Sequence, residues 1–267
     1  METQDNDRIR TAVRTAYAKV ARGADGCSVG CCGTQGSGSL AVGYTNDELE
    51  SVPEGADLGL GCGNPQTIAA LQPGETVLDL GSGAGFDCFL ASKRVGNKGR
   101  VIGVDMTPEM VTKARDNARR VEATNVEFRL GEIEHLPVSD GSVNVVMSNC
   151  VINLSPDKWA VLREAFRVLV PGGRLAISDV VAVKDMPAAL AENLQALTGC
   201  VAGAAKIDVL RELLADAGFE RIEIKPRPES GTVIGRCMPG AEDYVISASI
   251  EATKPGPADC CGPSCCS

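Results

Sequence analysis

Short apolar runs that stop at glycine or a polar residue recur along the middle of the chain: TVLDLG from Thr76, RVIGVDM (100–106), VEFRLGEI (126–133), VNVVMSNCV (143–151) and GRLAISDVV (173–181). Runs of this length, rich in Val, Ile and Leu, predict five strands buried on both faces. Between them the period changes. Val111, Ala114, Ala118 and Val121 fall on one helical face, as do Trp159, Leu162, Phe166 and Leu169. Thr107–Pro108 and Ser155–Pro156 place a capping hydroxyl before a proline whose fixed φ suits the first helical turn. Strands alternating with helices predict an α/β fold around a parallel sheet.

Beyond residue 182 a helical region spans 186–219, its second helix carrying Leu210, Leu213, Leu214 and Ala217 and ending near Gly218. RIEIKP (221–226) and EDYVISASIEAT (242–253) predict two more strands, joined closely enough for an antiparallel edge hairpin. Before the first strand, an amphipathic stretch from Arg8 to Val20 gives way to a Gly- and Cys-rich segment, 23–43. The end, KPGPADCCGPSCCS, has no residues with which to build a core. The chain thus divides into an N-terminal Cys-rich cap (1–69), an α/β core (70–182), a helix-and-strand extension (183–254) and a flexible Cys-rich tail (255–267).

Composition narrows the class. With 44% hydrophobic and 23% charged residues the chain reads as globular. A formal charge of −9 repels phosphate backbones and anionic membrane surfaces, and 3% aromatics is too few for base-stacking platforms. Neither a nucleic-acid nor a membrane partner is expected. No stretch reaches the roughly 18 apolar residues of a membrane span, and METQDNDRIR is unlike a signal peptide, which predicts a cytoplasmic protein. Twelve cysteines in a reducing compartment point to thiolate ligation or catalysis rather than to structural disulfides.

The first strand runs into Asp79-Leu80-Gly81-Ser82-Gly83-Ala84-Gly85, where glycines let a ligand approach the backbone before a helix begins. Its G-x-G-x-G spacing departs from both the dinucleotide G-x-G-x-x-G and the phosphate-binding loop. Asp105 closes the second strand, where a carboxylate can accept from both hydroxyls of a ribose. Either feature alone is commonplace, a tight turn or a carboxylate near a helix. In register within one βαβ unit they point to a ligand site.

On VLDLGSGAG and the acid at Asp105 the chain resembles the class I S-adenosylmethionine (SAM)-dependent methyltransferases, over roughly residues 70–182. The resemblance implies a doubly wound, Rossmann-like sheet, mostly parallel with an antiparallel edge hairpin, and SAM as methyl donor. It implies that Asp79, Gly81, Ser82, Gly83 and Gly85 lie along the methionine part, with Asn149 at the end of the fourth strand. Asp105, with Met106 beside it, would hold the ribose, and Glu132 and Ile133 of GEIEHLP (131–137) would lie by the adenine. Outside this context Glu132 reads as an ordinary solvated carboxylate. Ser148-Asn149-Cys150 lacks the Asn/Asp-Pro-Pro-aromatic motif of nucleic-acid amino-methylating enzymes.

Oxygen and nitrogen acceptors need a base to take a proton, and this chain has one histidine, His135, which reads better as a partly buried hydrogen-bonding residue. Trivalent arsenic bound by three thiolates keeps a lone pair and needs no base, and soft thiolates select such a centre. Cys62 before the first strand, Cys150 at the end of the fourth and Cys200 after the fifth can meet at the carboxyl ends of the strands. Cys88 and Cys237 read instead as small buried hydrophobes.

LGLGCGNP (58–65), SNCVINLSPDK (148–158) and LTGCVAGA (197–204) sharpen the resemblance to the SAM-dependent arsenite methyltransferases. That implies arsenite or its thiol adducts as substrate, Cys62, Cys150 and Cys200 as arsenic ligands, and no metal cofactor. The N- and C-terminal additions would complete the arsenic site. GCSVGCCG (26–33) resembles the segment of a fourth cysteine that forms a disulfide with the first during turnover; it maps to Cys32, with Cys31 nearly equivalent. An external thiol reductant, thioredoxin or glutathione, would restore that pair. Two other readings compete. A methyltransferase of a small organic acceptor would share the cofactor half only. A noncatalytic zinc- or metalloid-binding protein would not need the glycine loop and Asp105 in register, and the chain has no regular C-x-x-C pair to support it.

Overall fold

The computed structural model describes residues 2–23, 37–191 and 193–256. Its centre is a seven-stranded sheet of β1 (Thr76–Leu80), β2 (Arg100–Asp105), β3 (Val126–Leu130), β4 (Val143–Asn149), β5 (Leu169–Ala182), β6 (Glu220–Arg227) and β7 (Val245–Thr253). The order is β3-β2-β1-β4-β5-β7-β6. Strands β1 to β5 pair in parallel, and β7 pairs antiparallel with both β5 and β6. The chain moves outward from β1 to β3, then returns to lay β4 against the other side of β1. That reversal opens a crevice at the carboxyl ends of β1 and β4, where the glycine loop and Cys150 begin.

Alternate residues of each strand feed opposite layers. Leu78, Leu80, Val146 and Leu175 pack with the helices Lys158–Val168 and Ile207–Asp216. Val77, Val145 and Met147 pack on the other face with Phe86–Val95. A third core joins Val13 of the N-terminal helix Glu2–Ala21 to Cys150, Leu154, Val180, Cys200, Val201 and Ile234. The additions on either side of the α/β core therefore meet above the crevice.

Local details differ from the sequence expectations. The helix expected to be capped by Ser155 starts at Lys158, with the Asp157 side chain accepting from Ala160 N at 2.9 Å. Ser155 instead donates to Glu134 Oε1 at 2.6 Å. Trp159, in the first turn of that helix, is 41% exposed with the Arg163 guanidinium over its ring. Val121, 47% exposed, falls just past the end of the helix Pro108–Arg120. Thr107 holds the N-cap position there without a side-chain capping bond, because its hydroxyl, like its N–H at 2.8 Å, is turned to the Asp105 carboxylate. The two last strands are antiparallel but not a tight hairpin: a helix, Gly231–Cys237, lies between them.

Candidate functional site

The crevice holds two adjoining cavities. The first lies over the glycine loop. Gly81 takes φ +68°, and a Cβ there would fall 2.5 Å from Val151 Cγ2, so only glycine brings the loop under the fourth-strand turn. Gly83, at φ +51°, would meet nothing within 4 Å and leaves its face open to a ligand. Its N–H donates to Asp105 Oδ2 at 2.9 Å, tying the loop to the end of β2. Burial pushes the Asp105 carboxyl up, against the two backbone N–H groups that favour its charge. The Ser82 hydroxyl is buried with no partner among the described residues, an orphan that a polar ligand would satisfy.

Of the expected cofactor positions, Asp79, Gly81, Ser82, Gly83, Asp105, Met106, Ile133 and Asn149 line this cavity. Gly85 does not; it sits at the N-cap of Phe86–Val95. Glu132 does not line it either: its carboxylate pairs with Arg10 and Arg14 of the N-terminal helix, while Glu134, which also pairs with Arg10, lines the cavity. His135 is exposed, not the partly buried residue expected.

A polar network missed by the sequence reading underlies both cavities. Tyr44 donates to both Asp87 oxygens, at 2.8 and 2.9 Å. Asn149 Nδ2 donates to Tyr44 Oη and to Gly63 O, each at 2.8 Å, while Asn149 Oδ1 accepts from Cys62 N at 3.1 Å. One side chain thus fixes the cofactor wall and the Cys62 segment together. Burial lifts Asp87 to about 6 and Asp79 well above the usual carboxylate range. Cys88, taken for a plain hydrophobe, is fully buried and donates to Asp79 Oδ2 at 3.2 Å.

The second cavity gathers Cys62, Cys150 and Cys200 from segments that the sequence separates by more than fifty residues on average. Cys150 and Cys200 take φ +59° and +63°, left-handed conformations that cost a non-glycine residue about 1–2 kcal/mol and persist only when surroundings enforce them. The enforcement is visible at Cys150. Its N–H donates to Ser178 O at 2.8 Å, Ile152 N donates to Asp179 Oδ2 at 2.9 Å, and Asn153 Nδ2 donates to Asp179 Oδ1 at 2.9 Å and to Val180 O at 2.6 Å. Sγ of Cys62, Sγ of Cys150 and an Asp179 oxygen all lie within 4.8 Å of one another. Cys200 Sγ stands outside that trio and donates to Cys150 O at 2.6 Å.

Burial pushes the Cys62 thiol up, and Cys150, whose S–H is the donor toward the Cys200 and Cys62 sulfurs, is held well above its usual range, with burial adding to the shift. Both are thiols before a ligand arrives, and a thiophilic centre must displace their protons. Burial lifts Asp179 to about 6. Tyr17, Leu60, Gly61 and Cys150 line both cavities and form their common wall. Cys31, Cys32 and the four tail cysteines lie outside the described residues, as does the Cys237 side chain. Among the described residues no helix is long and apolar enough to cross a membrane.

The methyltransferase domain family matches residues 71–218. An arsenite methyltransferase of Halobacterium salinarum is 53% identical over 94% of this chain and 68% of its own length. The chain belongs to the arsenite methyltransferase family. Within that family an arsenite methyltransferase of Aquipseudomonas alcaligenes is 45% identical over 60% of this chain, which spans 47% of that relative's length. The crystal structure of an arsenic(III) SAM methyltransferase from Chlamydomonas reinhardtii superposes with a TM-score of 0.62 at 33% identity, covering 83% of this chain and 74% of its own. The class I methyltransferase sheet read from the sequence is the fold observed, including its antiparallel edge.

Proposed function

We propose that this arsenite methyltransferase-family chain methylates trivalent arsenic, with SAM in the glycine-loop cavity and arsenic held by Cys62, Cys150 and Cys200 in the adjoining one. The observation that carries the reading is the common wall: Cys150 lines both cavities. The first cavity suits the donor, since the Ser82 hydroxyl, unpartnered among the described residues, the open face of Gly83 and the Asp105 carboxylate offer polar contacts to a ligand. When bound, SAM supplies a methyl carbon made electrophilic by its sulfonium.

The protein's part is capture and aim. Each cysteine thiol displaces one thiol from the incoming arsenic adduct, and its proton leaves on the displaced thiol. Three sulfurs leave arsenic pyramidal with a free lone pair, so no general base is required, and the exposed His135 is not called on. Holding that lone pair at the common wall, toward the cofactor, is the main catalytic effect. Taking a methyl cation formally oxidises arsenic by two electrons. Cys32 and Cys62 return them by forming a disulfide, which an external thiol reductant such as thioredoxin or glutathione reopens.

Arsenic X-ray absorption of the loaded protein tests the capture step. Three sulfurs about arsenic are expected in the native chain, and fewer in Cys62→Ser, Cys150→Ser or Cys200→Ser. A coordination shell that Cys150→Ser leaves unchanged would place the arsenic elsewhere.

A further inference from the structure

Arg227, the last residue of β6, lines the cysteine cavity; its charge works against the burial that raises Cys62, and its hydrogen-bonding fork has no task in capture or methyl transfer. Its Nη2 donates to Ser178 Oγ at 3.1 Å, and Ser178 O accepts from Cys62 Sγ at 3.5 Å, so the guanidinium is seated one residue from an arsenic ligand's anchor. The seat is built into the chain: a Cβ at Gly63 would fall 2.8 Å from Arg227 Nη2 and 2.7 Å from Ser178 Oγ, so the glycine after Cys62 makes room for both. Among the described residues Arg227 forms no ion pair. Glu229, on the same cavity, is exposed and is not bonded to it.

A guanidinium offers five N–H donors in a planar fork, and Ser178 takes one of them. The remaining fork matches a carboxylate in geometry and charge. Arsenic on three sulfurs has no anionic group for it. The cavity also runs past Arg227 to Ser230 and Ser247, well beyond what an arsenic atom fills. What must occupy that space on arrival is the thiol that carries the arsenic.

We propose that Arg227 binds a carboxylate on the carrier thiol, so that the enzyme selects arsenite adducts of acidic thiols over those of neutral ones. The proposal rests on the arsenic reading of this cavity. Exchange stays balanced: one carrier sulfur–arsenic bond breaks for each cysteine–arsenic bond formed, the cysteine proton leaves on the carrier sulfur, and nothing is oxidised. Arg227 acts on the carrier that has not yet left.

The test compares arsenite presented in excess 3-mercaptopropionate with arsenite in excess 3-mercaptopropionamide, its uncharged counterpart. In the native chain KM should be about tenfold lower for the acidic adduct, the worth of one charge-assisted pair at a partly exposed site. Arg227→Met should bring the ratio of the two KM values to about one, and Arg227→Lys, which keeps charge but not the fork, should hold an intermediate ratio. Calorimetry with SAM reports whether each variant is folded, since Arg227 does not line the cofactor cavity. Equal KM values for the two adducts in the native chain overturn the proposal without any variant, and an Arg227→Met ratio equal to the native one overturns it as well. If the native chain captures no arsenic from either adduct, the arsenic reading itself fails, a separate result.

Discussion

Replacing Asp105 by alanine separates the cofactor half of the site from the arsenic half. In the structure the carboxylate oxygens accept backbone N–H groups, from Gly83 at 2.9 Å and from Thr107 at 2.8 Å, the Thr107 hydroxyl also bonds to the carboxylate, and a ribose would share or take over the acceptor positions beside them. Two ribose hydroxyls bound to those positions would contribute roughly 1.5–3 kcal/mol each. With water taking over part of that in the variant, a net loss of about 2–4 kcal/mol remains, a rise in the SAM dissociation constant of about 30- to 1,000-fold. The effect on folding is smaller because two contributions oppose. Burial disfavours the Asp105 charge, so its removal relieves that cost, while Gly83 and Thr107 each lose an acceptor. Calorimetry should show the weakened SAM binding with arsenic capture intact. A 2′-deoxyribose analogue of the cofactor should bind the native and Asp105→Ala chains more alike than SAM does. Unchanged SAM affinity in a folded variant would refute the ribose assignment.

Four further outcomes follow from the same geometry. Gly81→Ala puts a methyl 2.5 Å from Val151 at a left-handed φ and should weaken SAM binding at least tenfold by titration; native affinity would show that the loop moves freely. Cys150→Ser and Cys200→Ser should each abolish methylation, since a serine oxygen is too hard a ligand; methylated product from either variant at the native rate would reject its role. Leu162→Ala, fully buried, should cost about 2–5 kcal/mol in denaturant melts, and Trp159→Ala under about 1 kcal/mol; equal losses would contradict the observed helix phase. Asp179, raised by burial from 3.8 to about 6, favours its protonated form in the folded state. Its contribution is therefore complete below about pH 4 and lost as pH rises through 6, at most about 3 kcal/mol. Asp179→Asn should flatten the stability profile across that window, and an unaltered slope would deny the shift.

The parallel core was legible because β1, β2 and β4 are covered on both faces and leave apolar runs, while β3, a partly buried edge strand, still followed the same strand-helix alternation. The glycine loop and Asp105 were legible because their chemistry depends on short, fixed spacing within one βαβ unit. Topology put Cys150 at a carboxyl strand end, the grouping of Cys62 and Cys200 with it rested on the family resemblance, and all three line one cavity. What stayed hidden depends on contacts between distant segments. Asp179 reads as one polar residue in a buried strand, and nothing local says that it anchors the Cys150 turn. Tyr44 and Asp87 meet across 43 residues. The helix Gly231–Cys237 carries two glycines and little intrinsic helix preference, and the burial of Ile234 against the third core outweighs that. Glu132 and Glu134 both meet arginines of the N-terminal helix, Glu132 reaching Arg10 and Arg14 and Glu134 reaching Arg10, contacts that no local pattern announces.

The central claim, that arsenic held at the wall of the two cavities accepts the methyl group, is tested most directly by arsenic speciation after incubation of the protein with arsenite, SAM carrying an isotopically labelled methyl, and a thiol reductant. Methylated arsenic bearing the label should form with the native chain and not with Cys150→Ser, although that variant still binds SAM. Native protein that binds both SAM and arsenite yet leaves all the arsenic inorganic, or Cys150→Ser that forms labelled product at the native rate, would contradict the account.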